Sequence, residues 1–367
     1  MIAEPRTRFV LPDELNAAEP PEARGLNRDQ VRLMVATGDG VEHAAFGDLG
    51  NYLRPGDLLV VNTSGTFAAA VDGTRIAPDG VQPVVVHFST PLDDGDWVVE
   101  LRTAPDAAHP MLDARPGERV ELAAGTLHLV APYNPGPGPA TNSRTRTDAP
   151  GGTAYLGGGV RLWRARAGMA VPEFLARHGR PIAYSYVADR WPLASYQTVF
   201  ATEPGSAEMP SAGRPFSTEV VTRLVTAGVL IAPITLHTGV SSLESHEPPA
   251  AERYDVPAAT AELVAWTKVR GGRVVAVGTT VVRALETAAR PDGSIAASRG
   301  WTELVLGPDR PAYVVDGLVT GMHAPDASHL LLLEAVAGAP LVQRAYDAAL
   351  ERRYLWHEFG DLTLLLP

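Results

Sequence analysis

None of the 367 residues is cysteine. That excludes disulfides, a thiolate nucleophile and cysteine-ligated zinc or iron–sulfur centres, whatever compartment the chain occupies. Lysine is almost as scarce: Lys268, in "ELVAWTKVRGGR", stands alone among the 31 Lys and Arg residues. Schiff-base or pyridoxal-phosphate chemistry would have to use that one side chain, placed before a Gly-Gly stop where a solvated lysine belongs. No apolar run approaches the roughly 20 residues of a membrane span. The opening "MIAEPRTRFVLPDEL" shows neither an apolar signal core nor a small-residue cleavage site, so a cytoplasmic protein without a membrane partner is expected. G-x-x-x-x-G-K-[ST], G-x-S-x-G and H-E-x-x-H are missing, and the G-x-G at Gly136–Gly138 lies in a proline-rich loop instead of after a strand. No metal is expected.

Hydrophobic residues make up 45% and charged residues 20%, the balance of a globular protein with a sizeable core. The net charge of −11 weighs against broad electrostatic capture of nucleic acid. Its distribution weighs the other way. Between Ala140 and Arg180, seven arginines (144, 146, 161, 164, 166, 177 and 180) face only Asp148 and Glu173, and Trp163 sits within "RLWRAR". That stretch suits a phosphate backbone as well as it suits a solvated basic face.

The texture along the chain predicts an α/β (mixed α+β) main domain with an inserted small all-β barrel. "DQVRLMVATGDGVEHAAF" predicts a hairpin, and "RPGDLLVVNTS" a turn followed by a buried strand at Leu58–Val61. From Phe67 to Gly168, short runs such as "PVVVHF", "DWVVELR", "RVELA" and "TLHLVA" alternate with Pro, Gly and Asp clusters, which predicts a small barrel or sandwich. Residues 67–168 are therefore the expected insert, and 1–66 plus 169–367 the main domain. In the latter, Ser217 is an N-cap before the helix "TEVVTRLVTAG", and "VLIAPITLH" is a strand. A helix over Ala258–Arg270 leads to the strand "RVVAV" and the helix "VVRALETAAR". "AYVVDGLVTGMH" predicts two short strands, "SHLLLLEAVAG" and "PLVQRAYDAALERRY" two helices, and "DLTLLL" a closing strand.

Two motifs carry chemistry. In "VVAVGTTVVRALE", a buried strand delivers Gly278, where backbone can approach a ligand, and then Thr279 and Thr280 at a helix start. Unpaired amides and two hydroxyls there suit a carboxylate, a phosphate or ribose hydroxyls. Arg283, one turn on, can add a charge-assisted bond; the bland alternative is a threonine cap with a surface arginine. His237 ends "VLIAPITLH", and His323 holds a similar place in "LVTGMHAPDASH". Side chains at strand ends line the crevices of α/β sheets, and imidazole titrates near neutral pH, so both are candidates for proton transfer. For either one alone, a packing role is the competing reading.

Together these segments resemble the S-adenosylmethionine:tRNA ribosyltransferase-isomerase family of queuosine biosynthesis. The likeness rests on "FVLPDELNAAEP", "YLRPGDLLVVN", "YQTVFA", "GSAEMPSAG", "ITLHTGV", "GGRVVAVGTTVVRALE", "LVTGMHAP" and "FGDLTLLL", in that order. It implies an α/β domain carrying a β-barrel. It also implies a reaction in which S-adenosylmethionine, as co-substrate, gives its ribosyl carbons to the aminomethyl group of a deazaguanine base in tRNA, releasing adenine and methionine. Removal of a C5′ proton beside the sulfonium would begin it, and a neutral histidine suits that step. The resemblance groups Ser211, Gly213, Gly278, Thr279, Thr280 and Arg283 around the donor, with His237 and His323 as catalytic residues.

The chain departs from the family pattern where chemistry is expected. Arg214-Pro215 replaces Leu-His, and "SHEPPAAERY" keeps only His246 with Glu247 or Glu252 from a histidine-rich segment. Asp326 stands for a lysine, Leu355 for an arginine, Glu358 for a serine, and Gly65 and Ala70 for two arginines. Because several lost positions are basic, the reading placed first is a diverged enzyme using the same sulfonium chemistry on a small-molecule acceptor or on the donor itself, lyase or cyclase action included. An authentic tRNA-modifying enzyme and a non-catalytic ligand-binding module are the alternatives. Nothing in the sequence sets the oligomeric state.

Overall fold

A computed structural model describes residues 4–133, 160–187, 189–240, 250–325 and 327–367. The expectations attached to Arg144, Arg146, Asp148, Gly136–Gly138, His246, Glu247 and Asp326 lie outside the described residues. The hairpin forms as β1 (Arg32–Thr37) and β2 (Gly40–Ala45), followed by the buried strand β3 (Leu58–Asn62) and short β4 (Ser64–Thr66). Six antiparallel strands then close into a barrel: β5 (Ala70–Ala77), β6 (Gly80–Pro91), β7 (Trp97–Thr103), β8 (Arg119–Leu122), β9 (Gly125–Pro132) and β10 (Leu162–Ala167). Helix α1 (Val171–His178) packs Val171, Phe174 and Leu175 into the barrel's apolar core.

"RLWRAR" becomes strand β10, and this changes the meaning of the basic stretch. Trp163 is buried inside the barrel, where it cannot stack on a base. Arg161 turns inward onto buried Glu100, Arg164 bonds Asp94 and Asp96, Arg166 bonds Asp96, and Arg180 bonds Asp72. Alternation along a strand puts successive side chains on opposite faces, so a run of arginines here is split between a buried ion pair and neutralised surface pairs.

The main domain resumes with β11 (Glu203–Ser206) beside β4, then α2 (Thr218–Thr226), whose N-cap is Ser217 accepting from the Val220 amide. β12 (Leu230–Leu236), β13 (Glu252–Val256), α3 (Ala258–Val269), β14 (Val274–Val277) and α4 (Thr279–Ala288) follow. After them come β15 (Ser298–Thr302), β16 (Gly317–Gly321), α5 (His329–Ala337), α6 (Ala339–Glu351) and β17 (Leu362–Leu366). Only β16 forms from "AYVVDGLVTGMH", where two strands were expected. The amides of Tyr313, Val314 and Val315 are taken instead by the buried carboxylate of Glu286 on α4, which replaces a strand ladder.

Among the described residues the large sheet runs β15–β13–β12–β3–β14–β16–β17–β1–β2. Its centre, β12, β3, β14 and β16, is parallel. Helices α3 to α6 cover one face through residues such as Val264, Leu285, Leu330 and Tyr346. Phe46, Phe216 and α2 cover the other through Val220 and Leu224. Burial on both faces explains why these strands read as continuous apolar runs. None of the helices is long and apolar enough to cross a membrane, among the described residues.

Candidate active site at the carboxyl edge of the sheet

Four neighbouring parallel strands end on one edge, and each delivers a polar residue there: β3 leads to Thr63 and Ser64, β12 to His237, β14 to Gly278 and Thr279, β16 to Met322 and His323. This is where open α/β sheets bind ligands. Asn62, the last residue of β3, ties three of these exits together. Its side-chain amide donates to the Leu236 carbonyl (2.8 Å) and to Thr280 Oγ1 (3.2 Å), and its carbonyl oxygen accepts from the amides of Leu236 and Ser64 (both 3.0 Å). Sequence reasoning missed Asn62 because an asparagine ending a strand looks like turn chemistry.

His237 is half-buried, and its Nδ1 lies 2.7 Å from Ser64 Oγ. Ser64 Oγ in turn lies 2.5 Å from Ser206 Oγ, which accepts the Thr238 amide at 3.0 Å. The ring packs close to Gly205; any Cβ at that position would overlap it. Burial lowers the imidazole pKa, and Arg253 lowers it further, against a smaller opposing pull from Glu203. The ring is neutral at neutral pH.

His323 is held differently. Its Nε2 pairs with Thr320 Oγ1 (2.9 Å), its amide donates to Tyr346 Oη (3.1 Å), and its carbonyl accepts from Trp356 Nε1 (3.1 Å). The ring stacks on His329 with centroids 4.7 Å apart. Burial drives its pKa well down, and the charges of His329 and His357 add to this. Three strand spacings separate the exits of β12 and β16, about 14 Å at roughly 4.8 Å each. The two histidines therefore flank the crevice and do not share one reacting atom.

Gly278 caps α4 with φ of +96°, a backbone state that favours glycine, and packs against Ala212 in the 3-10 turn Ser211–Gly213. The structure thus brings Ser211, Gly213, Gly278, Thr279 and Thr280 to one place. Arg283 is neither a surface arginine nor free to reach a ligand. It is buried, ion-paired with Glu252, and donates to the carbonyls of Ala250, Thr302 and Leu304. Glu252 spends its other oxygen on the Gly239 amide (3.3 Å), so Arg283 reaches the His237 segment through that carboxylate.

Beside Ser211 lies a polar cluster that the sequence did not announce. Tyr184, Tyr186 and His357 stack in succession, with Tyr186 and His357 centroids 4.4 Å apart. Tyr186 donates to Glu358 (2.6 Å) and Tyr184 to Glu208, whose backbone carbonyl accepts from Thr238. Burial raises the Glu358 carboxyl pKa, with Glu208 adding to the effect and the Tyr186 bond opposing it. A small cavity here is lined by Ser211, Arg214, Gly321, His357 and Glu358, so two of the departures from the family pattern meet in one place. A larger crevice of about 310 Å³ opens between barrel and main domain, lined by His87, Asp106, Arg180, Tyr184, Asp189 and Arg190.

A large mixed sheet with a closed six-stranded barrel set into the chain defines a mixed α/β protein, and sheets of this kind offer a crevice beyond their strand ends. Residues 6–365 match the family described as queuosine biosynthesis protein. The S-adenosylmethionine:tRNA ribosyltransferase-isomerase of Acidiphilium cryptum is 37% identical, with 97% of each chain covered. The enzyme of that name from Symbiobacterium thermophilum is 36% identical over 98% of each. The crystal structure of S-adenosylmethionine tRNA ribosyltransferase from Thermotoga maritima matches with a TM-score of 0.51 at 27% identity, covering 98% of this chain and 99% of that one. The chain belongs to the S-adenosylmethionine:tRNA ribosyltransferase-isomerase family.

Proposed function

We propose that the protein is an authentic S-adenosylmethionine:tRNA ribosyltransferase-isomerase, moving the ribosyl carbons of S-adenosylmethionine onto a deazaguanine base in tRNA without methyl transfer. This reverses the order given by the sequence, which placed a small-molecule acceptor first. The observation that carries it is the end-to-end match to enzymes of that name, barrel included. The "RLWRAR" arginines add nothing to this reading, because they are committed to acidic partners and are no measure of tRNA affinity; the end-to-end match outweighs the loss of scattered basic residues.

In this reading the donor lies along the crevice from Ser211, Gly213 and the start of α4 to His237. The first-turn amides and hydroxyls of α4 suit a carboxylate or ribose hydroxyls. His237, neutral and partly exposed, acts at the reacting end. His323, closed in by four contacts, supports the far wall. Arg283 acts on the donor through Glu252 and Gly239. The sulfonium itself makes the adjacent C5′–H acidic, so a weak base suffices for the first step.

The test is incubation with S-adenosylmethionine, with and without tRNA carrying the deazaguanine base, followed by mass spectrometry of all small products. Adenine and methionine released only with that tRNA is the expected result. Release without tRNA would support the diverged reading, which the cavity formed by Arg214, His357 and Glu358 favours. No binding of S-adenosylmethionine by calorimetry would leave only a non-catalytic module.

A further inference from the structure

We propose that Ser206 and Ser64 are positioning residues that lock His237 as the Nε2–H tautomer, so that the resting protein offers its substrate a hydrogen-bond donor at this ring and not a proton acceptor. The proposal rests on the reading that His237 faces the substrate.

The argument is a count of hydrogens. Ser64 and Ser206 are 1% and 0% exposed, so solvent cannot supply missing partners. Among the described residues Ser206 Oγ has two neighbours, the Thr238 amide and Ser64 Oγ. The amide can only donate, so Ser206 accepts there, and its own hydrogen has one acceptor available, Ser64 Oγ. Ser64 must then point its single hydrogen at its other neighbour, His237 Nδ1. Nδ1 accepts, and the ring hydrogen of the neutral imidazole sits on Nε2.

The reverse direction fails at the buried end. If Nδ1–H donated to Ser64 and Ser64 to Ser206, the Ser206 hydroxyl would have no acceptor, and a buried donor left unpaired is costly. Turning the ring over would set Cδ2 against Ser64 Oγ and leave the buried Ser64 hydroxyl without an acceptor. Thus three residues distant in sequence behave as one unit whose polarity is set by a backbone amide.

The consequence for the reaction is specific. A neutral imidazole donating through Nε2 stabilises charge on a substrate oxygen or nitrogen, such as the ribose ring oxygen or the departing adenine, without transferring a proton. Removal of the C5′ proton then falls to another group.

The experiment is long-range ¹H–¹⁵N correlation spectroscopy of the full chain, histidine-labelled and free of ligand, at neutral pH, with His237→Gln used to assign the ring. The expected spectrum shows His237 protonated at Nε2 with a lone pair on Nδ1. In Ser64→Ala the ring should become a mixture of tautomers, and Ser64→Thr, which keeps the hydroxyl, should restore the single form. Turnover of Ser64→Ala should fall about tenfold in kcat with little change in KM, as expected for one lost orienting bond. A wild-type ring protonated at Nδ1 would overturn the proposal, as would an unchanged tautomer in Ser64→Ala. The spectra need neither donor nor tRNA, so they stand or fall separately from the assignment of the overall activity.

Discussion

Arg283 on α4 and Glu252 on β13 form a buried ion pair whose carboxylate also holds the Gly239 amide, two residues past His237. Burial pushes the Glu252 carboxyl up, while the Arg283 charge and the Gly239 amide pull against it. Removing the guanidinium would strand a buried carboxylate and three carbonyls. Arg283→Ala should therefore lose about 3–5 kcal/mol of stability in urea denaturation. Measured where the variant is still folded, S-adenosylmethionine affinity should weaken as the His237 segment loosens, by less than the ~1.5–3 kcal/mol that a direct charge-assisted bond would cost. Unchanged stability would return Arg283 to the surface, and unchanged affinity would detach it from the site.

His237→Ala should lower turnover by at least about 100-fold, the scale for losing a donor or acid–base group at a reacting centre. Calorimetry with S-adenosylmethionine should show binding largely kept, because the start of α4 and the Ser211–Gly213 turn are untouched. His323→Ala should differ: with its contacts to Thr320, Tyr346 and Trp356 gone, it should lower thermal stability more than it lowers kcat in the folded fraction. Equal kinetic losses in the two variants would argue against the division of labour drawn here.

Much of this site is legible in the sequence because it sits at strand ends. Apolar runs closing on His237, Gly278 and His323 mark three of the four exits, and Ser217 and Gly278 mark helix starts. What stays hidden is pairing across the chain. Ser64 gains its role from partners 142 and 173 residues away, and no local pattern announces either. Arg283 looks solvent-facing because "ERYDV", with charged residues at both faces, does not read as strand β13 and so conceals Glu252. "RLWRAR" misleads in the opposite sense: its charges read as a surface, while alternation sends Trp163 into the barrel and Arg161 is buried against Glu100.

Acid should unfold the protein in a defined window. Burial lowers the pKa of His329 to about 4, with Arg283 adding to it, and burial lowers that of His357 to about 4. In the unfolded chain these rings titrate near 6.5. As pH falls below that value the unfolded state takes up protons first, so stability, full above about 6.5, is lost progressively down to about 4. Each ring should contribute about 2 kcal/mol to the loss, reduced from the full linkage value for partial exposure. Urea midpoints for wild type and His329→Gln should converge as the pH drops from neutral toward 4.5. A constant gap between them would show that His329 is protonated in the fold.

The barrel carries its own acid-sensitive element, of the same sign but in a lower pH window. Glu100 is 1% exposed, and burial would raise its pKa; the His87 contact and the Arg161 and Arg102 charges outweigh that and hold it at about 2. A depressed carboxyl stabilises the fold above its unfolded pKa near 4.5, and that contribution fades as pH falls toward 2. Glu100→Gln removes the charge but keeps the shape, leaving two buried guanidinia without the carboxylate between them. The variant should lose about 3–5 kcal/mol at neutral pH. Hydrogen exchange should show the loss in β7 and β10, whose pairing brackets Glu100, ahead of the large sheet. If exchange instead quickens first in β3, β12 and β14, the barrel and the sheet unfold as one unit and the ion pair serves both.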